Sequence, residues 1–206
     1  MSYTATYIDA NGRAQTIEIS ENDSKEALRN HIRALEKKYD PKYVTVERVK
    51  ADAGELAHLK IGVKNVRTHY LTSSSDSKPK ETDSMTADVI VYMGYPFKSV
   101  DARYPENHYL ASPNVFRSGR ACIDTWEPGT SSLITVADKL LNDMIHNPAV
   151  TRYDSEANSY MDKWHKEGVA KGAFPTMNPK LLYAAAPLPR RRPHEVVSTP
   201  LPSRRR

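Results

Sequence analysis

The chain has 206 residues, 39% of them hydrophobic, and its 30 Lys and Arg against 25 Asp and Glu leave a net charge of +5. That is apolar material for one ordinary core and hardly for two. Residues 183–206 carry six Arg and one Glu, which accounts for the whole +5, so the body is neutral on balance and a poor basis for a domain built on phosphate neutralisation. No stretch approaches the roughly 18 apolar residues of a membrane span, and "MSYTATYIDANG" lacks the layout of a signal peptide. The only cysteine, Cys122, cannot form an internal disulfide. A cytoplasmic protein without membrane or nucleic-acid partners is the expectation.

In chain order, "YTATYID" and "RAQTIEI" flank Ala10, Asn11 and Gly12, and an Asn-Gly between β-prone runs predicts a hairpin over residues 1–21. Asp23 then stands as a helix cap with Glu26 three residues on; Leu28, Ile32, Leu35 and Tyr39 follow at helical spacing, and Pro41 ends the element. Lys25, Arg29, Arg33 and Lys37 form an i, i+4 ridge beside that apolar face, read either as solvated surface or as a docking ridge. Strand patterns at 43–49, 56–63 and 87–93 predict an antiparallel meander. The apolar-free "TSSSDSKPKETDS", 72–84, reads as a mobile loop between the last two. Leu133 to Ile145 predicts a helix with one broad apolar face, and residues 155–167 a further helix stopped by Gly168. The fold class expected is α+β. The Pro- and Arg-rich 183–206 reads as a disordered tail outside a 22–182 domain.

The order of motifs around the cysteine carries more than any one of them. "YPFK" (95–98), "SPN" (112–114), Gly119, Cys122, Asp124 and Trp126-Glu127-Pro128 follow one another, and this series resembles the catalytic core of the ubiquitin-conjugating enzyme family, with Tyr-Pro-Phe-Lys, His-Pro-Asn, Gly-x-x-Cys-x-Asp and Trp-Ser-Pro in the same order. Asn114 precedes Cys122 by eight residues, as in the family. Ser112 stands where the family has His, and the step from cysteine to Trp is shorter than usual. With the N-terminal extension and the Ser-rich 72–84, these departures look more like the divergent bacterial branch.

The resemblance implies a UBC-like fold over about residues 22–168 and an acyltransferase that takes a ubiquitin-like modifier with a C-terminal Gly from an activating enzyme. The modifier would ride as a thioester on Cys122 and pass to a target lysine. It also implies a JAB-type peptidase encoded nearby, an antiviral setting, and no cofactor or metal of its own, ATP being used by the activating enzyme. Cysteine suits this chemistry as both nucleophile and leaving group; the plain alternative is a buried small apolar residue. The Asn114 amide either stabilises the oxyanion formed when lysine attacks or pins the active-site loop. Asp124 shares a side with Cys122 in an extended segment, or is a solvated loop carboxylate. Where the family offers an acidic or polar group to the incoming lysine, this chain has Val150 and Thr151, and Asp154 is the nearest carboxylate, placed equally well to cap the next helix. The family docks its activating enzyme on the first helix, which gives Lys25, Arg29, Arg33 and Lys37 their functional reading. Rival classes are a catalytically idle modifier-binding member of the same fold, a cysteine hydrolase with His108 or His146 as base, a zinc enzyme, and an adaptor acting through its basic tail.

Overall fold

A computed structural model describes residues 2–8, 11–73, 76, 78–123, 125–128, 131–153 and 157–185. Strands β1 (Ser2–Ile8) and β2 (Ala14–Ser20) pair antiparallel around the Asn-Gly, where Gly12 takes a φ of 76° that a side chain would strain. Tyr3 lies against Gly94, and the Tyr7 ring is 5.7 Å from that of Phe97, so the hairpin sits over the turn that carries "YPFK".

Helix α1 (Glu21–Lys38) starts where β2 ends, with no linker. Ser20 is the N-cap: its Oγ accepts from the Asp23 amide at 3.2 Å, and the Asp23 carboxylate accepts from the Ser20 amide at 3.1 Å. Asp23, expected as the cap, is the third helical residue instead. The extended backbone of Ser20 (φ −73°, ψ 161°), inherited from the strand, already has the cap conformation. Leu28, Ile32 and Leu35 are buried, as their spacing requires.

The main sheet runs β3 (Val44–Val49), β4 (Glu55–Leu71), β5 (Lys80–Tyr92) and β6 (Asp101–Arg103), every pair antiparallel, with β7 (Tyr109–Leu110) on the far end of β4. The loop expected at 72–84 is shorter, because residues 80–84 belong to β5. Lys80, Glu81 and Thr82 pair with Tyr70, His69 and Thr68 across a register shift next to Asn65, whose φ is 56°. A strand whose side chains face water shows no apolar alternation, yet its backbone groups still take ladder bonds from a neighbour the sequence does not point to.

Helix α2 (Leu133–Met144) is capped by Ser132 and packs against β4 and α1; Leu133, Val136, Ala137, Leu140, Leu141 and Met144 are all buried. Helix α3 (Ser159–Ala170) runs through Gly168 rather than stopping there. A Cβ at Gly168 would meet Phe174 at 2.2 Å, so this glycine serves close packing, and the chain turns at Gly172, with a φ of 69°. No helix among the described residues is long and apolar enough to cross a membrane.

A short 3-10 turn, Pro179–Leu182, buries Leu182 and carries the chain back to α1. Tyr183 and Ala184, assigned to the tail by composition, are tied to the body. The Tyr183 hydroxyl donates to Asp138 Oδ1 at 3.1 Å, beside the 2.5 Å ion pair of Lys38 with Asp138, and the Ala184 amide donates to the Lys38 carbonyl at 2.9 Å. The remainder of the expected tail, 186–206, lies outside the described residues. Truncation after Leu182 is therefore expected to cost about 1–2 kcal/mol relative to truncation after Ala185. Paired thermal melts measure the difference, and equal melting temperatures would deny Tyr183 and Ala184 a structural role.

Candidate active site

The eight-residue step from Asn114 to Cys122 closes a small hairpin. Val115 bridges to Ala121, the Phe116 amide donates to the Arg120 carbonyl at 2.9 Å, and the Gly119 amide donates to the Phe116 carbonyl at 2.8 Å. Gly119 has a φ of 80° and sits against the Tyr104 carbonyl, which explains a glycine at this turn. The Cys122 amide then donates to the Asn114 carbonyl at 2.8 Å, so the motif spacing is the length of a loop returning on itself. Cys122 is half-buried and reduced, and no hydrogen bond joins its thiol to a histidine among the described residues.

Asn114 is fully buried, and its side chain is spent on holding the chain together. Nδ2 donates to Asp143 Oδ1 at 2.6 Å and to the Val150 carbonyl at 3.3 Å, while Oδ1 accepts from the Arg152 amide at 3.1 Å. Both amide hydrogens are committed, so the geometry favours the loop-pinning role of the two foreseen. Asp143, 2% exposed on α2, was not foreseen. It reads as one polar position in a helix of apolar spacing, and only the folded chain brings it to Asn114. Burial, with the Asp143 carboxylate beside it, pushes the Tyr104 phenol well up.

The other motif residues are held by hydrogen bonds of their own. Tyr95 is fully buried; its hydroxyl accepts from the Leu133 amide at 2.9 Å, satisfying an orphan donor of the first turn of α2, and it also meets His31 Nδ1. The Trp126 Nε1 donates to the Pro96 carbonyl at 2.9 Å, which fastens the chain beyond the cysteine to the "YPFK" turn. Ser112 accepts from the Asn114 amide through its Oγ at 3.1 Å and so shapes the turn from within. Val150 and Thr151 line a groove of about 440 Å³ with Thr135, Asp138, Lys139 and Asn142 of α2. Asp124 and Asp154 lie outside the described residues; the N-cap of α3 is Asn158.

Lys25, Arg29, Arg33 and Lys37 are all exposed along α1, and Lys25 pairs with Glu21 at 2.6 Å. His69, His146 and His165 pack with Trp164 and Phe174. His69 Nδ1 and His146 Nε2 are 3.1 Å apart, and His165 Nδ1 lies 2.8 Å from the Tyr153 hydroxyl. Burial lowers all three histidines, His146 well below its ordinary value and His165 to about 4. His146, one of the two bases considered for a hydrolase, is engaged in this cluster, and the other, His108, stacks on Tyr70 at 4.0 Å. Among the described residues no group of His, Cys, Asp and Glu is arranged to hold a metal.

No family model matches the chain, and no curated protein matches it.

Proposed function

We propose that this protein is a ubiquitin-conjugating-like enzyme of UBC-like fold, which carries a ubiquitin-like modifier as a thioester on Cys122 between an activating enzyme and a target lysine. The observation that carries the reading is the hairpin from Asn114 to Cys122: it leaves the only thiol half-buried at a fixed position, 2.8 Å from amide nitrogen to the Asn114 carbonyl, with Trp126, further along the chain, fastened to the "YPFK" turn. An antiparallel meander with one helix before it and two after supports the same fold.

In the forward step, Cys122 Sγ attacks the carbonyl carbon of the activating enzyme's thioester; the new S–C bond forms as the donor thiolate leaves. In the second step, a neutral lysine amine attacks the thioester carbonyl; the N–C bond forms as the S–C bond to Cys122 breaks. The thiolate leaves, the amine releases one proton to solvent, and an isopeptide bond replaces the thioester. The chain's part is positional. Asn114 holds the thiol strand and the 150–152 segment in one arrangement, which raises the effective concentration of the reacting groups. Incubation with a glycyl-glycine thioester of mercaptoethanesulfonate tests the thiol directly. The peptide containing Cys122 should gain one acyl group that dithiothreitol removes; a thiol that stays unmodified in the folded protein defeats the proposal.

The exposed ridge on α1 is the surface offered to the activating enzyme. Reversal of Arg29 and Arg33 to Glu should slow loading of Cys122 by about tenfold at low salt and flatten its salt dependence, because the attraction being screened is gone. Loading rates measured from low to high ionic strength check this, and an unchanged rate at low salt returns the ridge to ordinary surface.

A further inference from the structure

We infer that Asp143 is a positioning residue for the transfer step, setting the orientation of the Asn114 amide and, through it, the 150–152 segment that shares Asn114 with the thiol strand. This inference rests on the thioester reading of Cys122.

A primary amide is nearly symmetric in shape, so its neighbours decide which end faces where. The Arg152 amide requires Oδ1 on its side, whereas Asp143 Oδ1 and the Val150 carbonyl require Nδ2 on theirs. Of the two acceptors, the Asp143 oxygen is the nearer, at 2.6 Å against 3.3 Å for the Val150 carbonyl. Asp143 is also fixed. It is 2% exposed near the end of α2, with neighbours Asn142 and Met144 buried, and its carbonyl accepts the His146 amide at 2.9 Å. A rigid helix thus supplies the reference point, and Asn114 transmits it in two directions. Through its backbone carbonyl it holds the Cys122 amide; through its side chain it holds Val150 and Arg152. Without the carboxylate, Nδ2 keeps only its longer bond, and the 150–152 segment loses its fixed placement relative to Asn114, which also holds the thiol strand. Loading by a small thioester needs no such segment. Attack by an amine on the charged enzyme does.

The test is discharge of the glycyl-glycine thioester on Cys122 to free lysine, followed by intact mass over a range of lysine concentrations. D143L should lower the maximal discharge rate about tenfold, while acylation of Cys122 and the half-saturating lysine concentration stay within twofold of wild type. D143N keeps a side-chain oxygen that accepts from Asn114 Nδ2 and should recover the rate to within threefold. If D143L does not fold, D143S, too short to reach Asn114, takes its place with the same expected loss. Wild-type discharge in D143L or D143S overturns the inference, and so does equal loss in D143N, which would make the charge and not the held amide the operative feature. Failure of Cys122 to acylate at all defeats the thioester reading itself, whereas normal acylation with unaltered discharge in the variants defeats only the role of Asp143.

Discussion

Incubated with an activating enzyme, ATP and the modifier it carries, the protein is expected to gain the mass of one modifier, and that mass should disappear on treatment with a thiol reductant. A thioester exchanges with free thiols because a thiolate is a good leaving group, its conjugate acid having an ordinary pKa of about 8.5. Cys122→Ser should turn the adduct into an oxyester that survives the reductant, since an alkoxide leaves poorly, and Cys122→Ala should abolish it. The effect is all-or-none because Cys122 is the only cysteine in the chain. The idle modifier-binding reading makes a different forecast: Cys122→Ala binds modifier as well as wild type does, and no covalent adduct forms with either. Gel mobility with and without reductant, on all three proteins, separates the two.

Acidification from pH 7 to pH 5 should destabilise the fold steeply through the buried histidines. His69, His146 and His165 are all lowered by burial, His165 to about 4, so the folded state holds them neutral in a range where the unfolded chain, with histidines near 6.5, takes up protons. The unfolded state then binds more protons than the native one, and stability falls as pH drops. The slope is about 1.4 kcal/mol per pH unit for each histidine kept neutral. It is fully relieved above the unfolded value and persists down to the folded one, which for His165 is about 4. Between pH 5 and 6.5 most carboxylates stay ionised, so that window isolates the histidines. Chemical denaturation across it should show the slope, and His165→Phe should remove about one histidine's share. A flat profile would mean that the cluster opens or titrates without cost.

Much of the candidate site was legible because its motifs are local and ordered. The return from Asn114 to Cys122 spans eight residues with a glycine at the turn, and the Tyr95, Pro96 and Trp126 signals were legible from their order along the chain. What the site does with Asn114 was not legible. The choice between a free oxyanion donor and a pin depends on Asp143 and on the 150–152 segment, which lie 29 to 38 positions away and carry no pattern linking them to Asn114. The three-histidine cluster was hidden for the same reason, since the hydrogen-bonded His69 and His146 are 77 positions apart.

Local chemistry determined the hairpin at Asn11-Gly12, the apolar faces of α1 and α2 and the α+β class, because turn propensity and side-chain period act over a few residues and need no partner. Tertiary contacts decided the rest. The polar start of β5 became strand because β4 was there to pair with it; Gly168 stayed helical because Phe174 packs where a Cβ would stand; and Tyr183 left the tail because Asp138 and the end of α1 offered it bonds. In each case the deciding group is distant in the chain, and the interaction that fixes the outcome exists only once the core has formed.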